Sequence, residues 1–313
     1  VICDVDTRLW ASPTQLGDAL VGVLRRLSDT KLLPADGNEE AHAVQAKAVD
    51  RAFLLGFRSK ALKADLSNDF LAAAARRRPD KLVAIAGIDP ILQSWRDDLD
   101  RAVELGCLGV SVSPSLQGYP PTHSQAMRLW ERCATLGLPV FVSRPLPMPG
   151  PLPSEAILEA DRPLHWDEVL RAFPGLTVVL ASLGQPWVDE TLVLVGKHER
   201  CFTHLGGCVR RPLDLYRWLT AALDLGVADR ILFASGFPFE TPAKAIEKLY
   251  GLAAVVHGTT LQSIPRREIQ AIVERDAFRV LGVRDRAGEL QLGASAGEQA
   301  ALLAAARSLL SDR

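Results

Sequence analysis

Ala181-Ser182-Leu183-Gly184-Gln185-Pro186-Trp187 and Ile231-Leu232-Phe233-Ala234-Ser235-Gly236-Phe237-Pro238-Phe239 each close a short apolar run on Gly and Pro turn chemistry. Parallel strands that alternate with helices carry their chemistry at such C-terminal strand ends. Here the two ends deliver Ser182 and Gly236. Neither holds a metal ion strongly or carries a proton, so the question is what the chain does without them.

Outward from these stretches the same alternation fills the chain. Strand signals fall at residues 1–6, 52–57, 82–88, 108–114, 139–143, 176–182, 201–205 and 230–235, with helical apolar spacing between them at 16–27, 95–105, 124–136, 165–173, 188–198 and 213–225. Eight strands and intervening helices predict an α/β fold, a closed (β/α)8 TIM barrel. Further helices at 243–254 and 268–281 extend it, so the barrel is expected to span residues 1–283. The tail, 284–313, carries Ser295-x-x-Glu298, a capping-box pattern, ahead of an Ala/Leu-rich helix through Leu310. That helix is expected to dock on its own barrel or to contact a partner. Residues 145–153 are a Pro-rich loop, too punctuated for regular structure.

Bulk properties narrow the function classes. With 313 residues, 48% of them hydrophobic, a mean hydropathy of +0.10 and a net charge of -1, the chain can bury a full core. Its charge balance excludes a global field for nucleic acid or acidic membranes. Arg76-Arg77-Arg78, Arg210-Arg211 and Arg266-Arg267 lack interleaved aromatics and read as solvated helix faces. Cys3, Cys107, Cys133, Cys201 and Cys208 show no Cys-x-x-Cys spacing, which fits reduced, packed thiols in a cytoplasmic protein. No leader pattern or spanning run is present, although the sequence begins without Met.

The chain is similar to the amidohydrolase superfamily, in its amidohydrolase-related branch that includes aminocarboxymuconate-semialdehyde decarboxylase and other nonoxidative decarboxylases. The resemblance is carried by Asn68-Asp69-Phe70, Ala86-Gly87-Ile88-Asp89-Pro90, Ser113-Pro114-Ser115-Leu116-Gln117-Gly118, Phe173-Pro174-Gly175-Leu176, Gly184-Gln185-Pro186-Trp187 and Asp276-Ala277-Phe278-Arg279, and covers about residues 1–283. It implies a barrel with a divalent metal at the strand ends. The positions it assigns to that site are filled differently here. The two histidines of a first-strand Asp-x-His-x-His fall at Asp6 and Arg8, and a fourth-strand basic residue falls at Ser113. Histidines of the fifth and sixth strands fall at Ser143 and Ser182, and an eighth-strand Asp falls at Gly236.

Metal-assisted hydrolysis or decarboxylation needs imidazole or carboxylate lone pairs converging on one ion. Serine hydroxyls substitute poorly. A fixed guanidinium about 4 Å from a divalent ion costs on the order of 8 kcal/mol at an effective dielectric of about 20. The expectation is therefore a barrel with no metal, no cofactor and no catalytic residues, in which Asp6 and Arg8 pair with each other or with Arg58 or Arg144. The two-residue strand period places Asp4, Asp6 and Arg8 on one face.

Rival readings stay open at this point. Asp4, Asp6 and His204 could form a displaced metal site in a divergent hydrolase or decarboxylase; the alternative is that Asp4 makes backbone contacts and His204 is a satisfied rim histidine. Serine chemistry lacks Gly-x-Ser-x-Gly and any identified base. Arg8, Arg58, Arg144 and His204 near one rim would suit a small anionic ligand. A homo-oligomer or a hetero-complex with a protein partner completes the expectations.

Overall fold

The computed structural model describes residues 1–29, 36–146 and 150–283. Its order follows from strands whose two faces are both apolar. β1 (Cys3–Thr7), β2 (Arg51–Leu55), β5 (Leu82–Gly87), β6 (Val110–Val112), β7 (Val140–Val142), β8 (Val178–Leu180), β9 (Cys201–His204) and β10 (Ile231–Leu232) pair in parallel in that order. The sheet closes where Val5 N–H donates to Phe233 C=O at 3.2 Å, Gly236 N–H to Asp6 C=O at 3.1 Å and Arg8 N–H to Phe237 C=O at 3.0 Å. The predicted (β/α)8 TIM barrel is therefore the observed fold.

Alternate strand residues fill the barrel, because successive side chains point to opposite faces. Cys3, Val5, Phe53, Leu55, Val83, Ile85, Phe141, Val179, Phe202 and Leu232 pack inside. Their neighbours, among them Leu54, Ala84, Val110, Val140, Val178 and Ile231, face the surrounding helices. Phe278 and Leu281, on the short helix Ala277–Leu281, close the inner cluster at one end. Trp130 and Trp166, from two different helices, meet outside the barrel with ring centroids 5.0 Å apart.

Two expectations need correction. The second strand does not run through Phe57; β2 stops at Leu55, and β3 (Phe57–Ser59) turns back into an antiparallel hairpin with β4 (Ala64–Leu66). Gly87 sets that break, since a Cβ there would lie 2.4 Å from Phe57 N. The helix expected over 268–281 is two helices, Arg266–Val273 and Ala277–Leu281, because Asp276 caps a new start by accepting from Arg279 N–H. The tail, with its capping-box pattern, lies outside the described residues, as does part of the Pro-rich loop. All five cysteines are buried and free, as expected of packed thiols.

Candidate functional site

β1 decides what stands at the barrel mouth. Asp4 pairs with Ala52 but Thr7 with Leu54, so three steps on β1 match two on β2. Such a bulge re-aims the side chains beyond it. Cys3 and Val5 consequently face the barrel interior, while Asp6 and Arg8 line the mouth. The strict two-residue period that put Asp4 with them fails at this irregularity.

Asp4 is instead fully buried against the closing strand. Its Oδ1 accepts from Ser235 N–H at 2.9 Å, and Ser235 Oγ lies 2.6 Å from Oδ2. Burial raises its carboxyl to about 7, with repulsion from Asp6 adding to the rise and the Ser235 bonds opposing it. The folded chain thus holds this proton more tightly than the unfolded one, whose Asp titrates near ~3.9. The stability contribution is complete below that value and is lost as pH rises towards about 7. Urea titrations of wild type and Asp4→Asn between about pH 4 and 8 are expected to show this slope in the wild type only. Parallel curves for the two proteins would refute the assignment to Asp4.

The Arg8 guanidinium lines the mouth. Nη2 lies 3.2 Å from Asp6 Oδ1 and donates to Ser143 Oγ at 2.6 Å and to Arg144 C=O at 3.0 Å. Nη1 donates to Leu55 C=O at 3.4 Å. Only 2% of Arg8 is exposed. Burial pushes its guanidinium down, and Asp6 opposes that shift. The pair expected from the sequence is therefore present.

His204, also buried, stands beside it. Its Nδ1 accepts from Gly206 N–H at 3.1 Å and weakly from Ser182 N–H at 3.5 Å. Two donors at Nδ1 place the proton of the neutral ring on Nε2. Burial, aided by Arg8, lowers its basicity against the pull of Asp6. Nε2 points towards Asp6 Oδ2 across 3.7 Å and has no hydrogen-bond partner among the described residues. The satisfied rim histidine of the sequence reading is thus satisfied on one nitrogen only.

Ser143, Ser182 and Gly236 line the mouth with Arg144, Leu146, Gly206, Gly207 and Phe237. Ser182 Oγ donates to Gly206 C=O at 2.7 Å. Ser182 and Leu183 have φ of 52° and 56°, the left-handed region that non-glycine residues rarely occupy. Gly236 has φ of 77°, where its missing Cβ matters. The enclosed space is about 10 Å³, room for one water molecule at most. Ser113 is not among the lining residues; it is buried, and its Oγ has no hydrogen-bond partner among the described residues.

The expected ring of rim arginines is not formed. Arg58 sits on the β3–β4 hairpin, 2.6 Å from Asp98 and 3.5 Å from Asp65, and takes no part in the mouth. The break after Leu55, hidden in a continuous apolar run, is what carries it away. Arg144 does reach the mouth, but its Nε lies 3.2 Å from Asp161 Oδ2. Asp161 was not anticipated, since it arrives from a 3-10 turn beyond the Pro-rich loop and no local motif marks it. Among the described residues no group of three His, Cys, Asp or Glu is placed to hold a metal ion. None of the described helices is long and apolar enough to cross a membrane.

A closed parallel barrel with polar residues gathered at the C-terminal ends of its strands defines the class: a TIM barrel of the kind that carries its site at that end. The amidohydrolase family model matches residues 3–283, and the chain belongs to that family. Among solved structures it is similar to an uncharacterized TIM-barrel protein from Bordetella bronchiseptica, at 21% identity and TM-score 0.67, over 90% of this chain and 98% of that one. It is also similar to a dihydroxybenzoic acid decarboxylase from Polaromonas sp. JS666, with bound manganese and the inhibitor 2-nitroresorcinol, at 17% identity and TM-score 0.63, over 90% and 96%. A 2,6-dihydroxybenzoate decarboxylase from Rhizobium follows at 19% identity and TM-score 0.57, over 90% and 98%. No curated protein matches the chain.

Proposed function

We propose that this chain is an amidohydrolase-family barrel whose mouth is filled by its own Arg8–Asp6 pair in place of a metal ion. On this reading it is a noncatalytic, cytoplasmic, structural, regulatory or ligand-binding subunit, and it acts by self-association or with a protein partner. The observation that carries the proposal is the Arg8 guanidinium, which lies between Asp6 and Ser143 at 3.2 and 2.6 Å.

The donor set does not fit a divalent cation. Asp6 supplies one carboxylate, already beside a fixed positive charge. His204 faces Asp6 with the nitrogen that carries the proton, and moving that proton to Nδ1 would set it against two backbone N–H donors. Ser143 and Ser182 are already engaged with Arg8 and Gly206 C=O.

Protein purified without chelators is expected to contain far less than one equivalent of zinc or manganese. Stoichiometric metal in the wild type, lost together with a hydrolase or decarboxylase activity in Asp6→Ala, would overturn the proposal. That result would establish the second reading, a divergent hydrolase or decarboxylase with a rebuilt site. The second reading is favoured by the left-handed backbone at Ser182 and Leu183, since strain of this kind gathers at working sites. Residues 284–313 either dock on the barrel or contact the partner; a full-chain pull-down that loses its partner when they are removed would select the second, and one that keeps it the first.

A further inference from the structure

A second concave surface lies next to the mouth and is separated from it by Phe239, which lines both. This open groove has a volume of about 870 Å³, within the ~300–1,000 Å³ range of small-molecule sites. Val209, Phe239 and Leu252 give it an apolar floor, and all three are buried in the core. Arg210, Lys244 and Lys248 bring three cations to its wall, against Glu240 and Glu247.

These charges are not mutually satisfied. Glu240 is buried, with one oxygen held by Lys248 Nζ and the other accepting from Thr241 N–H. Glu240 attracts Arg210 through its charge but makes no hydrogen bond or ion pair with it among the described residues. Arg210, expected from the sequence to lie on a solvated helix face, is instead half-buried in a 3-10 turn, with Nη1 sealed from solvent and lacking an acceptor among the described residues. A guanidinium N–H left without an acceptor costs free energy, and because Arg210 is only half-buried and lines the groove, a turn of its side chain brings that N–H to an oxyanion there. Lys244 is exposed at the start of the helix Pro242–Tyr250, and no described carboxylate lies within ion-pair distance of it.

We propose that the groove formed by Arg210, Lys244, Phe239 and Leu252 binds a small organic anion, one with an apolar body and a carboxylate, sulfonate or phosphate head. The head group meets Arg210 and Lys244, and the body lies on Phe239 and Leu252. The rim arginines cannot serve this role, because Arg8, Arg58 and Arg144 each already face a carboxylate. The site is independent of whether the barrel mouth turns over a substrate.

The test uses the full chain and 8-anilinonaphthalene-1-sulfonate, whose sulfonate and fluorescent aromatic body match the two halves of the groove. Fluorescence titration is expected to give one saturable site. Binding should weaken at least tenfold in Arg210→Ala and in Lys244→Glu, while circular dichroism and melting temperature stay at wild-type values in the latter, exposed variant. The uncharged N-phenyl-1-naphthylamine is expected to bind at least tenfold more weakly than the sulfonate. Absence of saturable binding would overturn the proposal, as would equal affinity in folded Lys244→Glu or equal binding of the two dyes.

Discussion

Arg8→Ala is expected to lower the unfolding free energy by about 3–5 kcal/mol, the range for breaking a buried ion pair from one side. Three hydrogen-bond acceptors lose a donor in this variant: Ser143 Oγ, Arg144 C=O and Leu55 C=O. The remaining Asp6 carboxylate, with 10% of its side chain accessible, would stay in the mouth without its counter-charge. Urea denaturation measures the loss, provided the m-value is unchanged. The double variant Asp6→Asn/Arg8→Met removes both charges and nearly conserves volume. It is expected to be much more stable than the sum of the two single changes, because the cost lies in leaving one charge alone. Additive losses, or an Arg8→Ala cost under about 1 kcal/mol, would show that the pair does not hold the mouth together.

A loss of similar size is expected at the opposite end of the inner cluster, for a different reason. Phe53→Ala removes a fully buried ring that meets Phe141 at 5.9 Å and Phe278 at 5.3 Å, both edge-on. Large-to-small changes of this kind cost about 3–5 kcal/mol, made up of lost transfer free energy and the cavity left behind. Phe278 belongs to the last described helix and meets the inner cluster through the Phe53 ring, so that helix should loosen first. Amide hydrogen exchange in Ala277–Leu281 is predicted to accelerate more than exchange in β7. Uniform acceleration across the barrel would contradict this picture of the floor.

The strand ends were legible where chemistry and period agreed. Val140–Val142 and Val178–Leu180 fall inside runs whose apolar character and Gly/Pro punctuation leave few alternatives. Ser143, Ser182 and Gly236 were placed at the mouth from the same runs, and they line it. Ser113 was placed there by analogy and does not line it. Arg58 was misplaced because an uninterrupted apolar run conceals a change of sheet at Gly56. Asp161 beside Arg144 and the half-buried Arg210 in its groove are not legible locally, because residues distant in sequence make both surroundings.

The sequence by itself determined the barrel, since eight apolar runs separated by helical periodicity can bury their surfaces in few other ways. From the family resemblance it also raised the expectation that serine, glycine and arginine stand at positions of metal ligands. Only the tertiary structure decided what those residues do. A one-residue bulge in β1 turns Asp6 and Arg8 into the mouth and leaves Asp4 to Ser235, and two backbone N–H groups fix the proton of His204. Composition and spacing are local, whereas the direction of a side chain and the acceptor it finds depend on strands brought together from across the chain.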